Sequence, residues 1–373
     1  MVSFSSCTFI HLNLTRIKQT QPQGDTAQDK PRSWQFFIWF LATALVSFQV
    51  GFLSGIYLST TTRYRIASTE NSMSTITTRL EALKWKNITH QQHFTCFNHT
   101  ALQQLRKKIR SLFPNKDMDP VKVFTASTVE SSLLHFPPNA SQNNLHISPE
   151  PLTPLKLQRT CAIVGNSGIL LNSSCGKQID TNDMVFRSNI PTVNEFKLDV
   201  GNKRNIVTMN LVVLKQLVEA FNNKNRYPKQ MSNFRQYNNS IIWFQLDLTD
   251  EYRLLLTTLA DGCKKAHISV YFAFSTVSIR TISRTIWNIP EHVPSAGLMI
   301  TTAVLTFCDE ISLYGFYPFS TDQHNRPLQY HYFDKRIYNY TLSRHKMPLE
   351  FSILQKLHDS KIINLKTESC EVL

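Results

Sequence analysis

The sequence predicts an α/β domain, a mostly parallel sheet flanked by helices, preceded by one transmembrane helix and a polar stem. Three observations lead there. Trp34 to Leu58 is a run of 25 residues without Asp, Glu, Lys, Arg or His. Residues 59–155 are rich in Ser, Thr, Asn and Gln and end among Pro137, Pro138, Pro149, Pro151 and Pro154. From about residue 156, short apolar runs rich in β-branched and aromatic residues alternate with helical patterns, as strands and helices do in an α/β sheet.

At about 1.5 Å per residue, the uncharged run spans about 37 Å as a helix, enough to cross a bilayer with some tilt. It starts too late and runs too long for a cleaved signal peptide. Residues 1–33 therefore read as a tail, 34–58 as a signal anchor, 59–155 as a stem and 156–373 as the functional body. Six Asn-X-Ser/Thr sequons follow the anchor, at Asn87, Asn98, Asn139, Asn172, Asn238 and Asn339, and only Asn13 precedes it. That asymmetry predicts a lumenal body in the secretory pathway. Cysteine usage agrees: of seven, Cys7 precedes the anchor, and an even six follow it on the oxidising side. Their spacing allows 15 pairings and selects none. No Cys-X-X-Cys or Cys/His cluster suggests a metal.

The formal net charge of +14 suits an acidic partner (nucleic acid, anionic membrane or an acidic substrate) and equally a merely solvated basic surface. The anchor, the sequons and the cysteine count exclude a soluble nucleic-acid binder. Nothing in the sequence sets the oligomeric state, and a homo-oligomer is compatible with it.

Within the body the expected strands are Cys161–Val164, Met184–Arg187, Ile206–Thr208, Ile241–Leu246, Ile268–Phe274 and Ile311–Tyr314. Expected helices include Leu211–Phe221, Ala296–Phe307 and Pro348–Leu357, with one more near Ala101–Leu112 in the stem. Ligands of such sheets bind beyond the carboxyl ends of the strands.

Four local patterns could carry chemistry. Cys161 to Gly168 reads Cys-Ala-Ile-Val-Gly-Asn-Ser-Gly, a strand entering a small-residue turn. It serves either as a plain tight turn or as a loop that lets backbone approach a phosphate. Pro294-Ser295-Ala296-Gly297 opens a helix, with Ser295 as its cap or the N-terminus as an anion site. Tyr330-His331-Tyr332-Phe333-Asp334 and His345-Lys346-Met347-Pro348-Leu349-Glu350 each set a histidine among turn signals, suited to proton transfer near neutral pH. Two acidic pairs read as bystanders: Asp117-Met118-Asp119, a metal-diphosphate spacing placed in the stem, and Asp309-Glu310, a solvated turn.

In order and spacing these four patterns resemble the four sialylmotifs of animal sialyltransferases, glycosyltransferase family 29. The wording Gly-Asn-Ser-Gly-Ile-Leu, Asp-Val-Gly, Tyr-Gly-Phe and His-Lys-Met-Pro-Leu-Glu-Phe is similar to the α-2,8-sialyltransferase branch. The resemblance implies a Rossmann-like GT-A variant fold and metal-independent, inverting transfer from CMP-sialic acid to a sialylated glycoprotein or glycolipid, with no cofactor. It implies a Golgi location with 156–373 as the catalytic domain. It implies that Asn166 and Asn189 contact CMP, that Ser295, Ala296 and Gly297 form the donor's anion site, and that Tyr317, Tyr330 and His331 line the pocket. His331 would stabilise the departing phosphate and His345 would be the general base. By the same resemblance Cys161 pairs with Cys308 and Cys175 with Cys370, which leaves Cys96 to pair with Cys263.

The sequence departs from the family wording at several positions. Ser188 stands for a cysteine, Ala296 for a threonine, Tyr317 for a tryptophan and Phe333 for a tyrosine. Two other readings follow from this: a sialyltransferase of α-2,3 or α-2,6 linkage, or a catalytically weak glycan-binding homologue.

Overall fold

The computed structural model describes residues 96–115, 119–125, 157–223, 225–245, 250–275, 277–336 and 345–370. The expected anchor at 34–58, the tail and most of the stem lie outside these residues. Among the described residues no helix is long and apolar enough to cross a membrane.

Eight strands form one sheet: β1 Val121–Thr125, β2 Gln158–Val164, β3 Met184–Arg187, β4 Ile206–Thr208, β5 Ser240–Phe244, β6 Val270–Ser275, β7 Cys308–Tyr314 and β8 Asn364–Lys366. Their order is β1-β6-β5-β4-β3-β2-β7-β8. Every neighbouring pair is parallel except β1–β6, which is antiparallel. The helices are α1 His99–Arg110, α2 Gly176–Asp180, α3 Lys197–Val200, α4 Leu211–Asn222, α5 Pro228–Arg235, α6 Asp250–Lys265, α7 Ile279–Ile286, α8 Ala296–Val304 and α9 Met347–Asp359.

The apolar strand runs are explained by burial on both faces. Successive strand residues point to opposite sides. Cys161 and Ile163 of β2 join one core with Leu102 and Ile109 of α1, Ile282 of α7, Ile300 of α8 and Leu354 of α9. Ala162 and Val164 join the other with Leu214 of α4, Phe234 of α5 and Leu256 of α6. A strand buried twice favours a short apolar run, which Met184–Phe186 and Ile206–Val207 supply, each closed by a buried polar residue, Arg187 or Thr208.

Two elements come from the stretch expected as stem. Strand β1 pairs along β6. Helix α1 packs into the core and sends Arg106 beneath the far end of α8, where Nε donates to Leu305 O at 3.0 Å and Nη2 to Cys308 O. Nη1 meets Asp309 at 3.1 Å, so Asp309 is a partly buried strand residue and not the solvated turn expected. A helix near Ala101–Leu112 is expected from the sequence; its packing in the core of the body is not.

Strand β2 is joined to β7 by the Cys161–Cys308 disulfide, and the loop before α2 to the C-terminal segment by Cys175–Cys370. The expected Cys96–Cys263 pair does not form. Cys263 lies buried in α6, where desolvation pushes its thiol up to about 12, whereas Cys96 is exposed ahead of α1.

Candidate active site

Going along the sheet from β2, the chain moves one way to β3, β4, β5 and β6, and returns on the other side as β7. This reversal opens a crevice between the carboxyl ends of β2 and β7, where open α/β sheets take their ligands. Glycines make it possible. A Cβ on Gly165 would fall 2.4 Å from Gly315 O, and Gly315 itself sits at φ +72°, so the two loops diverge from contact at backbone distance.

The crevice is a cleft of about 330 Å³. Asn166 reaches it from β2, Ser188 and Asn189 from β3, and Asn210 from β4. The start of α8 supplies Ser295, Ala296 and Gly297, and the segment after β7 supplies Phe316, Tyr317 and Phe319. Tyr330, His331, His345 and Glu350 complete the lining. Every residue expected to bind donor or act in transfer therefore lines one cavity. The DxD aspartate Asp117 lies outside the described residues. Among the described residues no group of three His, Cys, Asp or Glu is placed to hold a metal ion.

The polar atoms are arranged unequally. Asn166 Nδ2 donates to Ser188 O at 2.9 Å, which turns its Oδ1 elsewhere. That Oδ1 and Asn189 Oδ1 are buried without a hydrogen-bond partner. A buried acceptor left unpaired costs about 1–3 kcal/mol, so both oxygens suit hydroxyl or amino groups of a ligand. Asn189 holds φ +61°, a conformation asparagine tolerates better than most residues.

At the start of α8, Ser295 caps the helix, its Oγ accepting from Leu298 N at 3.1 Å. Its own two donors go to Glu350: N–H to Oε1 at 2.9 Å and O–H to Oε2 at 2.5 Å. The groups at this helix start that remain for an anion are the N–H groups of Ala296 and Gly297, which have no intrahelical partner. Gly297 is required sterically as well, because a Cβ there would stand 2.5 Å from the Phe316 ring. The other end of α8 is complemented by Arg106 and by Arg110, whose Nη2 donates to Thr306 O.

Glu350 is the residue that local pattern reading passed over. It is 5% exposed, on the first turn of α9 behind Pro348. Burial pushes its carboxyl above the usual range, opposed by the Ser295 bonds and by the charge of His345. The available signal was an acid among Pro, Leu and Phe on an otherwise apolar helix face.

The two histidines are held by different partners. His345 Nδ1 lies 2.7 Å from the carbonyl oxygen of Val293. A carbonyl only accepts, so Nδ1 carries a proton, and in the neutral ring the lone pair falls on Nε2. His331 Nδ1 lies 2.9 Å from Asp334 Oδ2, a carboxylate that supports an imidazolium. Burial pushes His331 below its ordinary value, Asp334 opposes this, and nearby Arg336 adds to it. The His331 loop is docked on the β2 turn, with Tyr332 N donating to Asn166 O at 2.9 Å. Its ring lies between those of Tyr330 and Phe333, at 4.2 and 5.0 Å between centroids. Tyr317 packs edge-on against Phe319 and Phe351, filling the place where the family wording has tryptophan.

Such a fold and cleft define an α/β protein whose ligand crevice carries two histidines, one held by a carbonyl and one by a carboxylate. The model of glycosyltransferase family 29 (sialyltransferase) matches residues 88–362, and the chain belongs to that family. The match begins before α1, in keeping with the packing of α1 in the body. Among solved structures the chain is similar to a mammalian sialyltransferase, with 19% identity, TM-score 0.44, and coverage of 75% of this chain and 96% of that one. A mammalian sialyltransferase in complex with Gal-beta-1-3GalNAc-ortho-nitrophenol gives 20% identity and TM-score 0.42, covering 75% and 97%. The sialyltransferase CstII from Campylobacter jejuni, in complex with a substrate analogue, cytidine-5'-monophosphate, gives 16% and 0.32, covering 57% and 80%.

Proposed function

We propose that this protein transfers sialic acid from CMP-sialic acid to a sialylated glycan on glycoprotein or glycolipid, forming an α-2,8 linkage by metal-independent inverting displacement. The observation that carries the reading is the meeting of all nine expected residues, from six separated stretches of chain, in one cleft.

In this reading the two unpaired Asn oxygens accept from the ribose or cytosine of CMP, and the N–H groups of Ala296 and Gly297 face an anionic group of the donor. His345 Nε2 takes the proton of the attacking acceptor hydroxyl. As the bond from the anomeric carbon to the phosphate oxygen breaks, negative charge grows on the leaving CMP. His331 Nε2–H, when the imidazole is protonated, and the α8 N-terminus are fixed donors for that charge. The Ser295 hydroxyl acts at one remove, by holding the helix start on Glu350.

The organisation proposed with it is a cytosolic tail at 1–33, a signal anchor at 34–58, a stem beginning at 59 and a catalytic domain in the Golgi lumen. Incubation of the purified protein with CMP-sialic acid and a panel of sialylated acceptors, followed by sialidase digestion and mass-spectrometric linkage analysis, tests the reading. An α-2,3 or α-2,6 product replaces the linkage. Glycan binding without CMP binding or turnover replaces the activity.

A further inference from the structure

The loop 330–336 contains a shared carboxylate. Asp334 Oδ2 lies 2.9 Å from His331 Nδ1 and accepts from Arg336 Nε at 2.9 Å and Nη2 at 2.7 Å. The guanidinium also stands 3.5 Å from the same imidazole nitrogen. Although the Arg336 side chain is 69% exposed, its backbone is pinned. Tyr330 N donates to Arg336 O at 2.8 Å, and Arg336 N donates to Asp334 Oδ1 at 3.1 Å. A carboxylate oxygen already engaged by a permanent cation stabilises a second cation less, and the two cations repel each other.

We propose that Arg336 is a positioning residue for His331, dividing the Asp334 carboxylate so that the imidazole takes up its second proton only when an anion occupies the cleft. The anion is the CMP group of the proposed donor, and to that extent the inference rests on that reading. The proton comes from solvent to Nε2, the ring nitrogen directed away from Asp334.

The surroundings leave few competitors for this control. On its own loop His331 faces Tyr330, Asp334 and Arg336, together with the uncharged Phe333 ring. From the β2 turn it meets Ser167 through a backbone bridge, which brings no charge. Tyr317, His345 and Glu350 are the other titratable groups lining the cleft. Burial already pushes the imidazole down and Asp334 pushes it up, so the share of Asp334 that Arg336 removes sets the balance. Asp334 itself is pushed up by burial, yet its bonds from Arg336 and His331 hold it below the usual carboxylate range. It is therefore ionised wherever His331 titrates.

The test is a histidine titration of the full chain in detergent, with 13C-labelled imidazoles and the His331 signal assigned by its loss in His331→Gln. In Arg336→Ala the ligand-free midpoint of His331 should rise by about half to one pH unit. Arg336→Lys, which keeps the charge without the fork, should fall between, and Asp334→Asn should move the midpoint down. An unmoved midpoint in Arg336→Ala, with only a lower melting temperature, makes Arg336 structural and overturns the inference. CMP is then added to the wild type, and the midpoint should rise. Should the Arg336→Ala shift occur while CMP neither binds nor moves any signal, control by Arg336 stands and the donor reading is what fails.

Discussion

Glu350 accepts both donors of Ser295, the N–H at 2.9 Å and the hydroxyl at 2.5 Å. The residue that opens the anion-facing helix is thus anchored by a buried acid from a different segment. Replacing Glu350 by Gln keeps the shape but leaves one oxygen to accept two bonds. The expected loss is about 1–3 kcal/mol in folding stability, measured by urea unfolding, together with weaker CMP binding by calorimetry.

The same carboxyl predicts a pH dependence. Its folded value is raised by burial, so its contribution to stability is fully present below the ordinary carboxylate range. That contribution is lost as pH rises through the higher folded value. Wild type should therefore lose stability relative to Glu350→Gln as pH rises from the ordinary carboxylate range through that higher value. Parallel stability–pH curves for the two proteins would refute this.

Neutral His345 is held with its lone pair on Nε2 by the Val293 carbonyl. Substitution by Ala should lower turnover by about 10²–10⁴-fold, while CMP affinity and the unfolding midpoint stay near those of wild type. Near-normal turnover in the variant removes His345 as the base.

At Gly168 a Cβ would meet the backbone oxygen of Gln329 at 2.3 Å. Gly168→Ala should push the β2 turn away from the His331 loop and destabilise the fold by about 1–3 kcal/mol. CMP affinity should fall with it, because Asn166 and His331 sit on the two separated pieces. Thermal melts alongside CMP titration check both effects.

Arg106 satisfies carbonyls of Leu305 and Cys308 at the far end of α8 and meets Asp309. Arg106→Met should cost about 2–4 kcal/mol by leaving these groups unpaired. A chain beginning at residue 156 lacks α1 and β1 entirely and should not give a soluble, cooperatively melting domain, whereas one beginning before Cys96 should. Circular-dichroism melts of the two chains decide this.

Much of the fold was readable because its strands are buried on both faces. Strands β3 and β4 and the start of α4 could be placed to the residue, since a short apolar run and the Asn210 cap are local signals. Strands β1 and β8 and helices α2, α3, α5, α6 and α7 are not among the expected elements: the strands are short edges at the margins of the sheet, and the helices are short or mixed in sequence, so packing decides them. The stem boundary at 156 failed to include α1 for a similar reason. A local helical pattern reveals that a helix forms, but not what covers it.

For the candidate site, sequence alone determined the family resemblance, the two histidines, the glycine turns and the helix start, because each is a contiguous pattern. Tertiary structure alone decided what distinguishes them. It placed a carbonyl behind His345 and a carboxylate behind His331, tied Ser295 to Glu350 across 55 positions, and brought Arg336 onto Asp334. Protonation and hydrogen-bond direction depend on groups a few ångströms away in space, and chain separation carries no record of that distance.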